Sequence, residues 1–96
     1  MKVVYLVNAE NKNKAEMELK QDDLVSRGSI TTRAASSLDI KEEGYFIVID
    51  ASDEAIKRAE DIMKNLGEKY KEQEKVLKKI AEQEDAATEG FGNILG

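Results

Sequence analysis

Residues 3 to 7, Val-Val-Tyr-Leu-Val, form an apolar run without alternation. Such a run predicts a short strand covered on both faces. Asn8 and Ala9 end it, and Asn8 or Asn11 caps a helix over residues 12 to 26, since an Asn side-chain oxygen accepts from the free N–H groups of a first turn. The apolar face of this helix is thin: Ala15, Met17, Leu19, Leu24 and Val25, with Met17, Leu24 and Val25 predicted to share a side. Gly28 is expected to stop it in a left-handed conformation. Residues 29 to 35, Ser-Ile-Thr-Thr-Arg-Ala-Ala, read as a more polar strand suited to a sheet edge. Residues 36 to 43 connect, with Leu38 and Ile40 tucked beneath. Gly44 then opens the clearest strand, Tyr45-Phe46-Ile47-Val48-Ile49.

Ser52 is the natural cap of the next helix. Asp53 and Glu54 lie in its first turn, where the helix dipole favours negative charge. Ala55, Ile56, Ala59, Ile62, Met63 and Leu66 recur at helical spacing. The phase runs on through Tyr70, Gln73, Leu77 and Ile80, as one long helix or as two that meet at Gly67. The Asn65-Leu66-Gly67 stretch favours a stop with a left-handed cap at Gly67. The chain therefore reads as one domain: an α+β core over 1–66, a C-terminal helix over 67–88 and a Gly-rich tail over 89–96.

The β-α-β-β-α order, with apolar first and third strands and a polar second, resembles a ferredoxin-like sheet without its last strand, plus a C-terminal helix. That resemblance implies central first and third strands, an edge second strand and an open edge on the first. It also leaves one sheet face uncovered by the two core helices. Burying about five apolar side chains there is worth roughly 1.5–3 kcal/mol each. The C-terminal helix or a second chain must cover it, and a second chain is the expectation. The stretch from Asp50 to Ala59 also resembles the strand–cap–helix element of KH and ACT domains. A KH domain clamps single-stranded RNA with a Gly-x-x-Gly loop, and no such spacing occurs between the helices. An ACT domain needs the fourth strand.

Composition removes most chemistry. The 96 residues contain no Cys and no His. Disulfides, thiolate or imidazole metal sites and Ser–His or Cys–His nucleophiles are excluded. No phosphate-binding Gly-x-x-x-x-Gly-Lys and no Asp-x-Asp-x-Asp-Gly calcium loop is present. The acidic residues read as solvated surface. Fifteen Lys and Arg against twenty Asp and Glu give a net charge of −5. Most of that excess lies in Glu82, Glu84, Asp85 and Glu89. Lys69, Lys71, Lys75, Lys78 and Lys79 are diluted by Glu68, Glu72 and Glu74, so nucleic acid is not the expected partner. The apolar run after Met1 is too short for a leader or a membrane span, and a cytoplasmic location is expected.

These exclusions leave a small protein-interaction or assembly module that self-associates, with no catalysis, cofactor or metal. The alternative is a KH-like module for single-stranded nucleic acid. The candidate binding residues are Tyr70, Leu77 and Ile80 on the C-terminal helix, and Phe91, Ile94 and Leu95 in the tail. The tail is expected to hook a protein partner, or to dock in cis along the open edge beside residues 3 to 7.

Overall fold

A computed structural model describes the backbone of residues 1–95 and the side chains of residues 1–84. The elements run β1 (Lys2–Val7), α1 (Ala9–Gln21), β2 (Ser29–Ala34), β3 (Tyr45–Asp50), α2 (Asp53–Met63), β4 (Glu68–Lys69) and α3 (Gln73–Leu95). Short 3₁₀ turns at Val25–Arg27 and Ala35–Leu38 flank β2. The four strands form one antiparallel sheet in the order β2-β3-β1-β4. The two apolar runs are thus central, and the polar strand is an edge.

Alternate residues of β1 and β3 feed two cores, because strand side chains alternate between faces. Val3, Tyr5, Val7, Ile47 and Ile49 pack with Ala15, Leu19, Ala59 and Met63 of α1 and α2. Val4, Phe46 and Val48 pack on the other face with Leu38 and Ile40 of the β2–β3 connection and with Val76 and Ile80 of α3. The second face is therefore covered within the chain by α3, not left for a second copy.

Local chemistry sets the helix ends. Asn8 Oδ1 accepts from Asn11 N at 2.9 Å, and Ser52 Oγ accepts from Ala55 N at 3.2 Å. Helix α1 is shorter than the sequence suggests. Asp22 ends it by accepting from Leu24 N and Val25 N at 3.0 and 3.2 Å, which starts the 3₁₀ turn instead. This separates the residues expected on one face: Val25 is buried, while Met17 and Leu24 are 54% and 38% exposed. Gly28 has φ −90°, an ordinary extended conformation and not a left-handed cap.

The largest correction concerns residues 67 to 72, expected as helix. Helix α2 ends at Met63, and Gly67 lies so close to β1 that a Cβ there would sit 2.8 Å from Leu6 O and from Val7 Cγ2. Glu68 and Lys69 then pair with Leu6 and Tyr5 as β4. The sheet does have a fourth strand, of two residues. Leu66 belongs to the first core and Tyr70 packs on the second. β4 thus carries the chain around the β1 edge from one face to the other, which is why the apolar phase seemed continuous.

Candidate functional site

The β1 edge, expected to be open, is closed. Tyr70 N donates to Val4 O at 2.9 Å, and Gln73 Nε2 donates to Lys2 O at 3.2 Å. With β4 beside Leu6, no room is left there for the tail to add as a strand.

The other edge differs. Ala35 N donates to Gly44 O at 3.0 Å, and Ala34 lies opposite Tyr45. In an antiparallel ladder the directions of N–H and C=O alternate, so Ile30, Thr32 and Ala34 turn theirs outward. Two of the outward carbonyls are covered: Thr32 O by Arg33 Nη1 at 3.1 Å and Ala34 O by Ser37 Oγ at 2.7 Å. The outward N–H groups of Ile30, Thr32 and Ala34 face no other strand among the described residues. The β2 side chains are exposed at Ser29 and half-buried from Ile30 to Ala34. This six-residue edge carries no acid and no Pro.

Helix α3 crosses the second face towards this same edge. It starts over β1, where Gln73 meets Lys2. By its eleventh and twelfth residues it has reached the β2 side, with Gln83 Nε2 donating to Ser37 O and Glu84 lying 4.0 Å from Arg33. Beside it, a groove of about 170 Å³ lies between Leu77, Ile80, Ala81 and Glu84 of α3 and the sheet at Lys2, Ser29, Thr31 and Asp50.

The residues singled out in the sequence are distributed as follows. Tyr70, Leu77 and Ile80 lie together on the second core. Tyr70 meets the Phe46 ring edge-on, at 4.8 Å between centroids. Ile80 is 8% exposed, and Leu77 is half-buried. Their main task is thus to hold α3 on the sheet, although Leu77 and Ile80 also reach the groove between α3 and the strand ends. Phe91, Ile94 and Leu95 lie outside the residues whose side chains are described. A wider groove of about 540 Å³ opens at Tyr70 between Leu6, Glu42, Lys69 and Lys71. Burial, and then the Glu42 carboxylate, raise the Tyr70 phenol above its ordinary value.

The charged contacts link elements. Arg58 Nε donates to Asp22 Oδ2 at 2.6 Å and ties α2 to the end of α1. This bond, first among the causes, holds the Asp22 carboxyl below its usual value. Lys69 pairs with Glu60 and ties β4 to α2. Below that pair Tyr5 is 3% exposed, and its hydroxyl has no hydrogen-bond partner among the described residues. Among the described residues, no group of three or more His, Cys, Asp or Glu side chains is placed to hold a metal ion. Likewise, no helix is long and apolar enough to cross a membrane.

Reading the sequence placed β2 at a sheet edge but missed that the edge of β1 is closed. The polar β2 run did carry a signal. The closure of β1 carried none, because Glu68-Lys69 is two charged residues without strand patterning. Comparison with family models, with curated proteins and with solved structures finds no match for this chain.

Proposed function

We propose that this chain is a non-catalytic assembly module with a ferredoxin-like core, which self-associates through the outer edge of β2. The strand order β2-β3-β1-β4 supports the ferredoxin-like part. The observation that carries the assembly reading is the unequal treatment of the two edges. β1 is closed by β4, Tyr70 and Gln73, whereas β2 presents outward N–H groups along six residues. Such an edge templates another strand by main-chain hydrogen bonding.

A two-fold axis normal to the sheet and passing through β2 pairs it antiparallel with the β2 of a second copy. Directly paired residues share a face, so Thr31 meets either the Thr31 or the Arg33 of the second copy. Arg33 releases Thr32 O as the strands join. The proposed assembly is a continuous sheet with both α3 helices on one side.

The test is sedimentation equilibrium across the micromolar range. The full chain is expected as a dimer. Thr32→Pro removes an outward N–H at a position where an edge strand tolerates Pro, and it is expected to give a folded monomer by circular dichroism. Thr31→Lys sets like charges across the axis and serves as the second variant. A full chain that is monomeric at 100 µM (on the order of the weakest affinity a stable dimer tolerates), or dimers unchanged in both folded variants, would overturn the proposal.

A further inference from the structure

The outer edge of β2 holds one charge of each sign. Thr31 and Arg33 lie opposite Val48 and Phe46, on the sheet face that α3 covers. Arg33 Nη1 donates to Thr32 O at 3.1 Å, while Nη2 lies 4.0 Å from Glu84 Oε1, beyond hydrogen-bond distance. The guanidinium thus sits on a carbonyl that the edge must free before it can pair. Glu84 also lies near Thr31, since both line the groove between α3 and the sheet.

The outward residues decide between the two registers. An axis between Thr32 and the Thr32 of a second copy pairs all of them: Ile30 with Ala34, Thr32 with Thr32, and Ala34 with Ile30. An axis at Thr31 puts Ala34 opposite Gly28, outside β2. The first register therefore uses the ladder more fully. In it Arg33 faces the Thr31 of the second copy as a non-hydrogen-bonded pair, about 4.5 Å apart at Cα. Ser37 need not move, because Ala34 O has a second lone pair. Arg33 must move, because the incoming Thr32 N–H takes its place on Thr32 O. The carboxylate beside its new neighbour is the second copy's Glu84, and a long side chain reaches a diagonal neighbour about 7–8 Å away.

Resting on the β2-edge reading, we infer that Arg33 and Glu84 exchange partners across the two-fold axis, each Arg33 pairing with the Glu84 of the other copy. The exchange repays Arg33 for the carbonyl it gives up and fixes the register at Thr32. It also selects the occupant. A second copy brings an α3 helix with an acid at the required place over its own edge strand, so the charges are self-complementary under the axis.

The experiment reverses each charge in the full chain. Arg33 and Glu84 have side chains 37% and 67% exposed, so Arg33→Glu and Glu84→Arg are expected to keep the fold by circular dichroism. Each variant alone sets like charges at both contacts of its dimer and is expected to dimerise about fivefold or more weakly than the full chain by sedimentation equilibrium. An equimolar mixture makes both contacts attractive again, but only between chains. The mixed dimer, told from the like pairs by mass in native mass spectrometry, is expected to regain the affinity of the unsubstituted chain. A pair confined to one chain gains nothing from mixing. If the full chain dimerises and the mixed dimer forms no better than the statistical excess, or if the single variants dimerise unchanged, the exchange is wrong and the β2 edge stands. If the full chain is monomeric, the edge reading falls and the exchange falls with it.

Discussion

Tyr5 offers the sharpest test of the core. Its ring sits among Val3, Val7, Ile47 and Met63, and its hydroxyl is buried without a partner among the described residues. An orphaned buried hydroxyl costs about 1–3 kcal/mol in lost hydration. Tyr5→Phe keeps the ring and removes that cost, so stability at pH 7 is expected to rise by about that amount. The alkaline limb gives a second, independent reading. Burial first, and then the nearby Glu60 carboxylate, push the Tyr5 phenol up to about 12 from an ordinary 10.0. Below pH 10 the phenol is protonated in both the folded and the unfolded chain, and its contribution is whole. Between pH 10 and 12 the unfolded chain loses the proton while the folded chain keeps it, so stability falls as pH rises. The loss approaches about 2–3 kcal/mol by pH 12. Other titrating groups are common to both proteins and cancel in the difference. Urea denaturation at pH 7, 9 and 11 measures it. The advantage of Tyr5→Phe should grow from pH 9 to pH 11 by about 1 kcal/mol. A variant that is less stable at pH 7 by more than about 1 kcal/mol, or a pH-independent difference, would show that the hydroxyl is partnered and refute the reasoning.

Ile47, fully buried in the central strand β3, should lose about 2–5 kcal/mol on Ile47→Ala, read by chemical denaturation. Gly67→Ala should lower the melting temperature, because the added Cβ meets Leu6 O and Val7 Cγ2 at 2.8 Å; a rise would mean that β4 is not seated there. Gly44→Ala should be worse tolerated than its turn position suggests, since φ is +106° and the Cβ would strike Val7 O. The Asp22 carboxyl, lowered mainly by its hydrogen bond to Arg58, supports the fold above its ordinary value of 3.8 and loses that support as pH falls through the lowered value. Arg58→Gln should therefore flatten the acid limb of a stability–pH curve.

The central strands were legible because residues 3 to 7 and 45 to 49 are short runs, apolar without alternation and rich in β-branched and aromatic residues, as a doubly covered strand is. Ser52 and Asn8 were legible because a cap is a local bond between a side chain and its own helix. The end of α1 was not, because Asp22 competes with helix continuation through two side-chain bonds that patterning does not register. β4 was not legible for a different reason. Glu68 and Lys69 have no strand character, and their pairing depends on Gly67 passing close to Leu6, a contact 61 positions away along the chain. Of the candidate residues, Tyr70, Leu77 and Ile80 were recognisable as an apolar stripe. Whether a stripe faces its own sheet or a neighbour depends on where the chain turns, and that turn was the hidden element. The outer edge of β2 was readable as a polar strand, but its standing as the open edge followed only once β1 was seen to be sealed.

The seal on β1 also fixes how far the proposed assembly could go. A sheet with two open edges adds copies at both and grows without limit, as fibres do. Here Tyr70, Gln73 and the two residues of β4 occupy one side. Joining two copies at β2 consumes the open edge of each and leaves a sealed one at either end. In the proposed assembly a two-residue strand would thus set the stoichiometry: growth would end at the second subunit.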